Sequence, residues 1–234
     1  MRSYPSLRNK KISIHQSQYL PWAPYFKKIY MSDYFILLDN VQFQKNGVQN
    51  RNKIRNKNGD FWITIPVNKK LNENINTKMI TDRQILRKHW KMIEQSYCKT
   101  LNWELYKEQL FKIYSSDYQK LNDINLDLLE FFLDKLKIET KIIKASDLDL
   151  SNTKGDLVLE ICKLFDANTY LSGLGSKEYL DERKFEENGI KIEYIESIPP
   201  IYKQICNPFI GNLSVLDFLL NVDQNEIQEY FEKR

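Results

Sequence analysis

Apolar and polar residues follow two different periods along the chain, and each period predicts a local structure. Residues 11–15 alternate polar and apolar side chains, which is typical of a strand with one buried face. Residues 34–38 form a continuous apolar run that ends at Asp39, as expected for a strand buried on both faces. Residues 61–65 also predict a strand, and the preceding Asn58-Gly59 indicates a turn. Further strands are predicted at residues 141–144, 169–171 and 190–195.

Helical spacing of the apolar residues returns between these strands. Strands that alternate with helices predict an α/β fold with a mostly parallel sheet flanked by helices. The long helical region at residues 81–136 interrupts this alternation, so we interpret it as an insert. We expect a flexible arm over residues 1–10 and a single α/β domain over residues 11–234. The predicted helices cover residues 25–31, three segments within the insert at 81–136, and residues 157–165, 179–187 and 214–231.

Composition and charge narrow the class of protein. The 234 residues include 35 basic and 31 acidic side chains, and this net charge of +4 is too small to indicate a nucleic-acid binder without a clustered patch. No run approaches the ~18 apolar residues of a membrane helix, and the first ten residues lack the apolar core of a signal peptide. Three scattered cysteines do not indicate a disulfide framework or a cysteine zinc site. We expect a cytoplasmic protein, and we interpret its abundant asparagine and lysine as a compositional bias.

The segment at residues 40–58 is the densest polar region and contains no acidic residue. Arginine and lysine suit phosphate or carboxylate groups, while side-chain amides suit sugar hydroxyls and base edges. Every second position from residue 51 to residue 55 is basic, so one face of a strand would carry Arg51, Lys53 and Arg55. A solvated hairpin with incidental charge is the alternative, and only Phe43 could stack on a base. The candidate substrate-binding residues here are Gln42, Lys45, Gln49, Asn50, Arg51, Asn52 and Lys53.

The first strand ends at His15, one of only two histidines. Ligands of open α/β sheets bind beyond the carboxyl ends of the strands, and a histidine titrates near neutral pH, so His15 is a candidate catalytic residue. A structural histidine at a strand end is the alternative. Asp39 ends another strand and is a second candidate, but no acidic neighbour accompanies it, so no metal site is predicted. Candidate binding residues after His15 are Gln16, Gln18, Tyr19, Trp22 and Tyr25.

A glycine-containing turn follows the predicted strand at residues 169–171. Its candidate binding residues are Ser172, Gly173 and Ser176, because glycines allow the backbone to approach a ligand and a helix N-terminus favours an anion. Ser176 is the predicted N-cap of the next helix. A plain strand-to-helix turn is the alternative, since the third glycine of the dinucleotide fingerprint is missing.

The helical region also contains chemistry-bearing side chains. His89 lies among Arg87, Lys88 and Lys91, and a histidine in such charged surroundings is expected to face solvent. Trp62, Trp90 and Trp103 are expected in the core.

Two long stretches resemble the beginning of the WbqC-like family. These are IHQSQYLPW at residues 14–22, continued at 25–29, and LDNVQFQKN at residues 38–46, continued at 49–52. The resemblance extends from about residue 11 to residue 221, and the family usually has proline where this chain has Ser17. Shorter matches lie at residues 62–67, 169–173, 179–181 and 212–217, and at Lys88-His89 together with Tyr97.

The resemblance implies a role in bacterial surface-polysaccharide, especially O-antigen, biosynthesis. It makes the chain a candidate transferase that N-acylates or aminoacylates, for example with glycine, the amine of a dTDP- or UDP-linked amino sugar. His15 would accept the amine proton, with His89 as the second choice. ATP or an activated acyl donor would supply the acyl group, and an acyl carrier or a second copy of the chain would be a partner. The alternative is a non-catalytic protein that binds a nucleotide-sugar or carbohydrate.

Overall fold

A computed structural model describes residues 9–233. Most of the arm predicted over residues 1–10 therefore lies outside the described residues. Two sheets are present in the described part: one has five strands in the order β5-β2-β1-β6-β7, and the other is the hairpin β3-β4. The strands are β1 (Lys11–Gln16), β2 (Tyr34–Leu38), β3 (Arg51–Asn56), β4 (Gly59–Thr64), β5 (Lys141–Lys144), β6 (Thr169–Gly173) and β7 (Lys191–Ile195).

The five-stranded sheet confirms the predicted α/β fold with a mostly parallel sheet. β1 pairs with β6, β2 with β5 and β6 with β7, all in parallel register, and helices occupy the connections. The helices are α1 (Ala23–Tyr30), α2 (Ile85–Tyr97), α3 (Trp103–Ser115), α4 (Leu121–Lys135), α5 (Lys154–Leu164), α6 (Glu182–Glu187), α7 (Val215–Asn221) and α8 (Gln224–Glu232).

The chain divides into two compact units. The sheet unit contains the described residues up to His15, then Lys28–Leu37 and Thr140–Ser197. The helical unit contains Gln16–Lys27, Leu38–Glu139 and the described residues from Ile198 onward. The predicted helical region at 81–136 corresponds to α2, α3 and α4 of the helical unit. The prediction of a single domain over residues 11–234 stays a prediction.

The sheet unit forms because its strands are apolar on both faces. The residues Phe35, Ile36 and Leu37 of β2 are all buried, as the continuous apolar run predicts. On β6, the Tyr170 ring stacks on Phe185 of α6 with ring centroids 6.0 Å apart. Burial of these side chains holds the helices against the sheet.

The helical unit has a separate aromatic and aliphatic core. Phe26 packs edge-on against Phe132 of α4, with ring centroids 5.6 Å apart, and Trp90 of α2 stacks on Trp103 of α3 at 5.4 Å. Local signals set the ends of its last helices. Ser214 caps α7 by accepting a hydrogen bond from the Leu216 amide, and Asp223 caps α8 in the same way.

The start of α6 differs from the prediction, and β4 belongs to a sheet of its own. Helix α6 begins at Glu182 instead of residue 179, because Leu174–Glu178 form a short 3-10 helix and Asp181 is extended. Its predicted stop is confirmed: Gly189 has a φ of 71°, a conformation that glycine adopts without strain. The strand predicted at residues 61–65 is β4, which pairs antiparallel with β3 and is separate from the parallel sheet.

Candidate functional site

The β3-β4 hairpin of the helical unit carries a surface that we call the cationic face, formed by Arg51, Lys53 and Trp62. Cross-strand pairing brings Lys53 opposite Trp62, and side chains of paired residues project from the same side of a hairpin. The Arg51 guanidinium lies 4.5 Å from the centroid of the Trp62 ring, and Lys53 Nζ lies 5.5 Å from it. Trp62 stays 46% exposed, so the expectation that it belongs to the core is wrong.

Charge on the cationic face is only partly neutralised. Lys53 Nζ forms an ion pair with Asp60 across the hairpin at 2.7 Å, and this hydrogen bond holds the pKa of the Asp60 carboxyl below its ordinary value. Arg51 donates to the Asn46 carbonyl oxygen, and its buried Nε has no acceptor among the described residues. The two cations and one carboxylate leave one positive charge in excess beside an exposed indole.

Arg55 occupies an alternate position of the same strand, but it is not part of this face. It is 1% exposed, and its guanidinium donates to the Gln204 side chain and to the Pro208 carbonyl oxygen. Gln204 in turn donates to Asp217, whose pKa is raised by burial. Arg55 therefore belongs to a buried polar network.

The amide residues predicted to bind substrate take two different positions. Asn50 and Asn52 are buried and donate to the carbonyl oxygens of Ile65 and Leu20, so they hold backbone segments together. Gln49 is 1% exposed, and its Nε2 donates to the Gln16 side-chain oxygen at 2.7 Å. By contrast, Gln42 and Lys45 lie exposed before the hairpin, and Gln42 donates to the Asn72 side chain.

His89 is buried, so the expectation that it faces solvent is wrong. It is 2% exposed, with Nδ1 2.8 Å from the Tyr19 hydroxyl, and its ring also hydrogen-bonds the backbone of Thr64. Tyr19 continues the chain to the Tyr114 hydroxyl at 3.0 Å. Burial lowers the pKa of His89 to about 4, so the ring is neutral at pH 7. Its neighbours on α2 are charged, but the helix turns His89 toward the protein interior.

The two catalytic candidates at strand ends differ in burial. His15 is half-buried in β1 of the sheet unit, and Asp39 follows β2 with 1% exposure. β1 and β2, the strands that these residues follow or end, are neighbours in the sheet. The catalytic role of each residue stays a prediction.

The remaining candidates near His15 are mainly packed side chains. Gln18 and Tyr25 are buried, and Trp22 is half-buried. The Tyr25 hydroxyl donates to the Gln16 carbonyl oxygen, and burial raises the pKa of Tyr25.

The turn after β6 does not have the predicted cap. Ser176 lies inside the 3-10 helix, where its hydroxyl lies 2.5 Å from that of Ser172 and donates to the Gly173 carbonyl oxygen. Asp181 precedes α6, so Ser176 is not the N-cap of that helix. The two buried hydroxyls bond each other, while Gly173 is half-buried.

Comparison with known proteins shows the family of this chain. The model of the WbqC-like protein family matches residues 16–229, nearly the whole described chain. The chain belongs to the WbqC-like family. A relative in Mycobacterium tuberculosis, "Uncharacterized protein Rv1507c", is 32% identical over 217 residues, which cover 91% of this chain and 94% of the relative. No solved structure matches the chain.

Membership in the WbqC-like family suggests a role in polysaccharide biosynthesis. Both the hairpin and the segment that contains Gln16 lie within the matched residues. Within residues 9–233, none of the helices has the length and apolar character needed to cross a membrane.

Sequence reasoning missed two kinds of residue in this WbqC-like chain. Trp62 alternates with the more buried Phe61 and Ile63, and that alternation could have revealed an outward-facing indole. Asn122 and Asn125 lie one turn apart on α4, among buried leucine and isoleucine side chains. Polar residues at buried positions of a helix are informative, but the high asparagine content concealed them.

Proposed function

We propose that this WbqC-like protein transfers an acyl or aminoacyl group to the amine of a nucleotide-linked amino sugar in surface-polysaccharide biosynthesis. The observation that carries the proposal is the cationic face, where Arg51 and Lys53 flank the exposed Trp62 ring. An aromatic ring beside two cations suits the two parts of a nucleoside diphosphate. The base stacks on an aromatic face, and guanidinium and ammonium groups bind phosphate oxygens.

The chemistry that we propose is amide formation. The sugar amine attacks the carbonyl carbon of an activated acyl donor, the new C–N bond forms, and the donor's leaving group departs with its electron pair. The amine must lose one proton in this step, and we assign its removal to His15. A half-buried histidine suits this role better than His89, whose ring is buried and hydrogen-bonded to Tyr19 and Thr64.

Binding to the cationic face is tested by calorimetry with UDP- and dTDP-linked amino sugars. Arg51→Ala should weaken binding by about 1.5–3 kcal/mol, the range for a hydrogen bond to a charged group. The matched control is Arg87→Ala, because Arg87 is an exposed arginine of α2 outside the hairpin. Equal affinities in the Arg51→Ala variant and the wild type would remove the cationic face from the proposal.

Catalysis is tested by following acylation of the same sugars with an activated amino acid or acyl donor. His15→Gln should retain nucleotide-sugar binding and lose turnover by roughly 10²–10⁴-fold, the usual effect of losing an acid–base group. Full turnover in this variant would exclude His15 as the base. Binding without any turnover in the wild type would favour the alternative, a non-catalytic nucleotide-sugar binding protein.

A further inference from the structure

Four buried side-chain amides of the helical unit have an oxygen without a hydrogen-bond donor. Within residues 9–233, these orphan acceptors are Oε1 of Gln49 and Oδ1 of Asn76, Asn122 and Asn125. We call these four residues the amide cluster. Gln49, Asn122 and Asn125 are at most 4% exposed, and Asn76 is half-buried. Burial of a polar atom without a partner is unfavourable, so several such atoms of one chemical type call for an explanation.

Hydrogen bonds connect Gln49 and Asn125 directly. Asn125 Nδ2 donates to the Gln49 carbonyl oxygen at 2.9 Å and to the Ser17 hydroxyl at 3.2 Å. Gln49 Nε2 donates to Gln16 Oε1 at 2.7 Å. The bond to the Gln49 carbonyl oxygen determines which end of the Asn125 amide is the nitrogen, because a carbonyl oxygen can only accept.

Backbone hydrogen bonds bring the other two amides to the same region. The Ser17 amide donates to the Leu38 carbonyl oxygen at 3.2 Å, and the Asn76 amide donates to the carbonyl oxygen of the next residue, Asp39, at 2.8 Å. Asn122 lies one helical turn before Asn125, and side chains three positions apart share a helix face. The backbones of Ser17 and Asn76 therefore lie beside Leu38 and the buried Asp39, in the same unit as Asn122 and Asn125.

Neutral amide oxygens accept hydrogen bonds but carry no net charge. Divalent cations in proteins take carboxylates among their ligands, and no group of three or more metal-ligating His, Cys, Asp or Glu side chains occurs in residues 9–233. A ligand that presents several O–H and N–H groups matches four acceptors of this kind. Sugars with hydroxyl and amino groups have this chemistry.

We propose that the amide cluster recognises the sugar part of the nucleotide-linked substrate by accepting hydrogen bonds from its hydroxyl and amino groups. This inference rests on the proposed function and adds the residues that select the sugar. Gln49 precedes Arg51 of the cationic face by two residues, so one short segment contributes to both sites. Gln16, which accepts from Gln49, is half-buried and so is partly accessible to solvent beside the cluster.

The sharpest variant is Asn122→Leu, which is nearly isosteric and removes an orphan acceptor. The free variant should have a higher melting temperature than the wild type, since an apolar group replaces an unsatisfied polar one. Calorimetry with UDP and with UDP-glucosamine then measures the sugar's contribution. We expect unchanged affinity for UDP and about a tenfold loss for UDP-glucosamine, the effect of about one hydrogen bond.

Two further variants separate recognition from packing. Asn168→Leu removes another orphaned buried amide oxygen, in the sheet unit, and should raise the melting temperature without changing either affinity. Asn122→Asp keeps an oxygen acceptor of the same shape and should restore binding of UDP-glucosamine. A loss of UDP-glucosamine affinity in Asn168→Leu equal to that in Asn122→Leu would overturn the assignment.

The outcomes distinguish this inference from the proposed function. The amide cluster does not recognise the sugar if the wild type binds UDP and UDP-glucosamine equally, or if Asn122→Leu leaves both affinities unchanged. In either case the proposed nucleotide site is still supported by the binding of UDP. If neither nucleotide binds, the proposed function fails, and free glucosamine decides the inference. Stabilisation of the wild type by glucosamine that is lost in Asn122→Leu would support the cluster, and no stabilisation would overturn it.

Discussion

Strand β3 carries two arginines in opposite surroundings. Arg51 lies over the exposed Trp62 ring at the start of the strand and is half-buried. Arg55, four residues later, is 1% exposed and is bound to Gln204 and to the Pro208 carbonyl oxygen. The first arginine is half-buried beside an exposed ring, and the second is enclosed by the protein groups that it binds. The same residue type on one strand thus differs in role because of what covers it.

Arg55 is more buried than Arg51 because residues 204–210, which precede α7, cover it. Gln204 in that segment bonds Arg55 and Asp217, and Tyr97 of α2 and Tyr202 also donate to the Asp217 carboxylate, at 3.0 and 2.7 Å. Among residues 9–233, no such segment covers Trp62, which is 46% exposed. Burial of a guanidinium requires partners for its donors, since arginine does not lose its proton in proteins.

The largest effect should come from removing the buried arginine. Arg55→Met should lower the free energy of unfolding by about 3–5 kcal/mol, because it leaves buried polar partners without their cation. Urea denaturation measures this loss. Arg87→Met, at an exposed position of α2, should change stability by no more than about 0.5 kcal/mol. Equal stability of both variants would mean that the buried network does not stabilise the helical unit.

A buried lysine extends the comparison, because lysine can lose its proton and arginine cannot. Lys28 of the sheet unit is 7% exposed, and its Nζ donates to the Ile14 carbonyl oxygen at 2.8 Å. Burial lowers its pKa from 10.5 to about 7. Between these two pKa values the unfolded chain binds more protons than the folded one, so stability should increase as the pH increases.

The pH prediction is measured by urea denaturation at several pH values. From pH 7 to pH 9, Lys28 should add about 2 kcal/mol to the free energy of unfolding. Lys28→Met should lack this increase, and the difference between variant and wild type cancels the other titrating groups. A wild type whose stability changes with pH in parallel with the variant would show that Lys28 keeps its ordinary pKa.

The smallest effect should come from the exposed side of the comparison. Trp62→Ala should weaken nucleotide-sugar binding by about 1–2 kcal/mol, within the range for stacking of one base on an aromatic ring. The free energy of unfolding of this variant should change little, because Trp62 is 46% exposed. Phe111→Ala removes another exposed aromatic side chain, on α3, and should leave binding unchanged. A stability loss at Trp62 without a loss of affinity would make the indole a packing residue.

The secondary structure could be predicted from the sequence where period and stop signals agree. The run at residues 34–38 matches β2, and Asn188-Gly189 correctly marked the end of α6. The site could be predicted only in part. His89 was expected to face solvent because its helix neighbours are charged, but α2 turns it inward to meet Tyr19, a residue 70 positions away. Such long-range partners leave no local pattern.

The sequence by itself determined the α/β fold class, the family and the basic, amide-rich character of residues 40–58, because these depend on local periodicity and on motifs. The tertiary structure alone decided which of those polar residues are accessible. Arg51 and Trp62 remain at the surface, Arg55 is covered by residues 204–210, and the Gln49 oxygen is buried without a donor. Exposure and hydrogen-bond partners depend on segments distant in the chain, so only the packed structure establishes them.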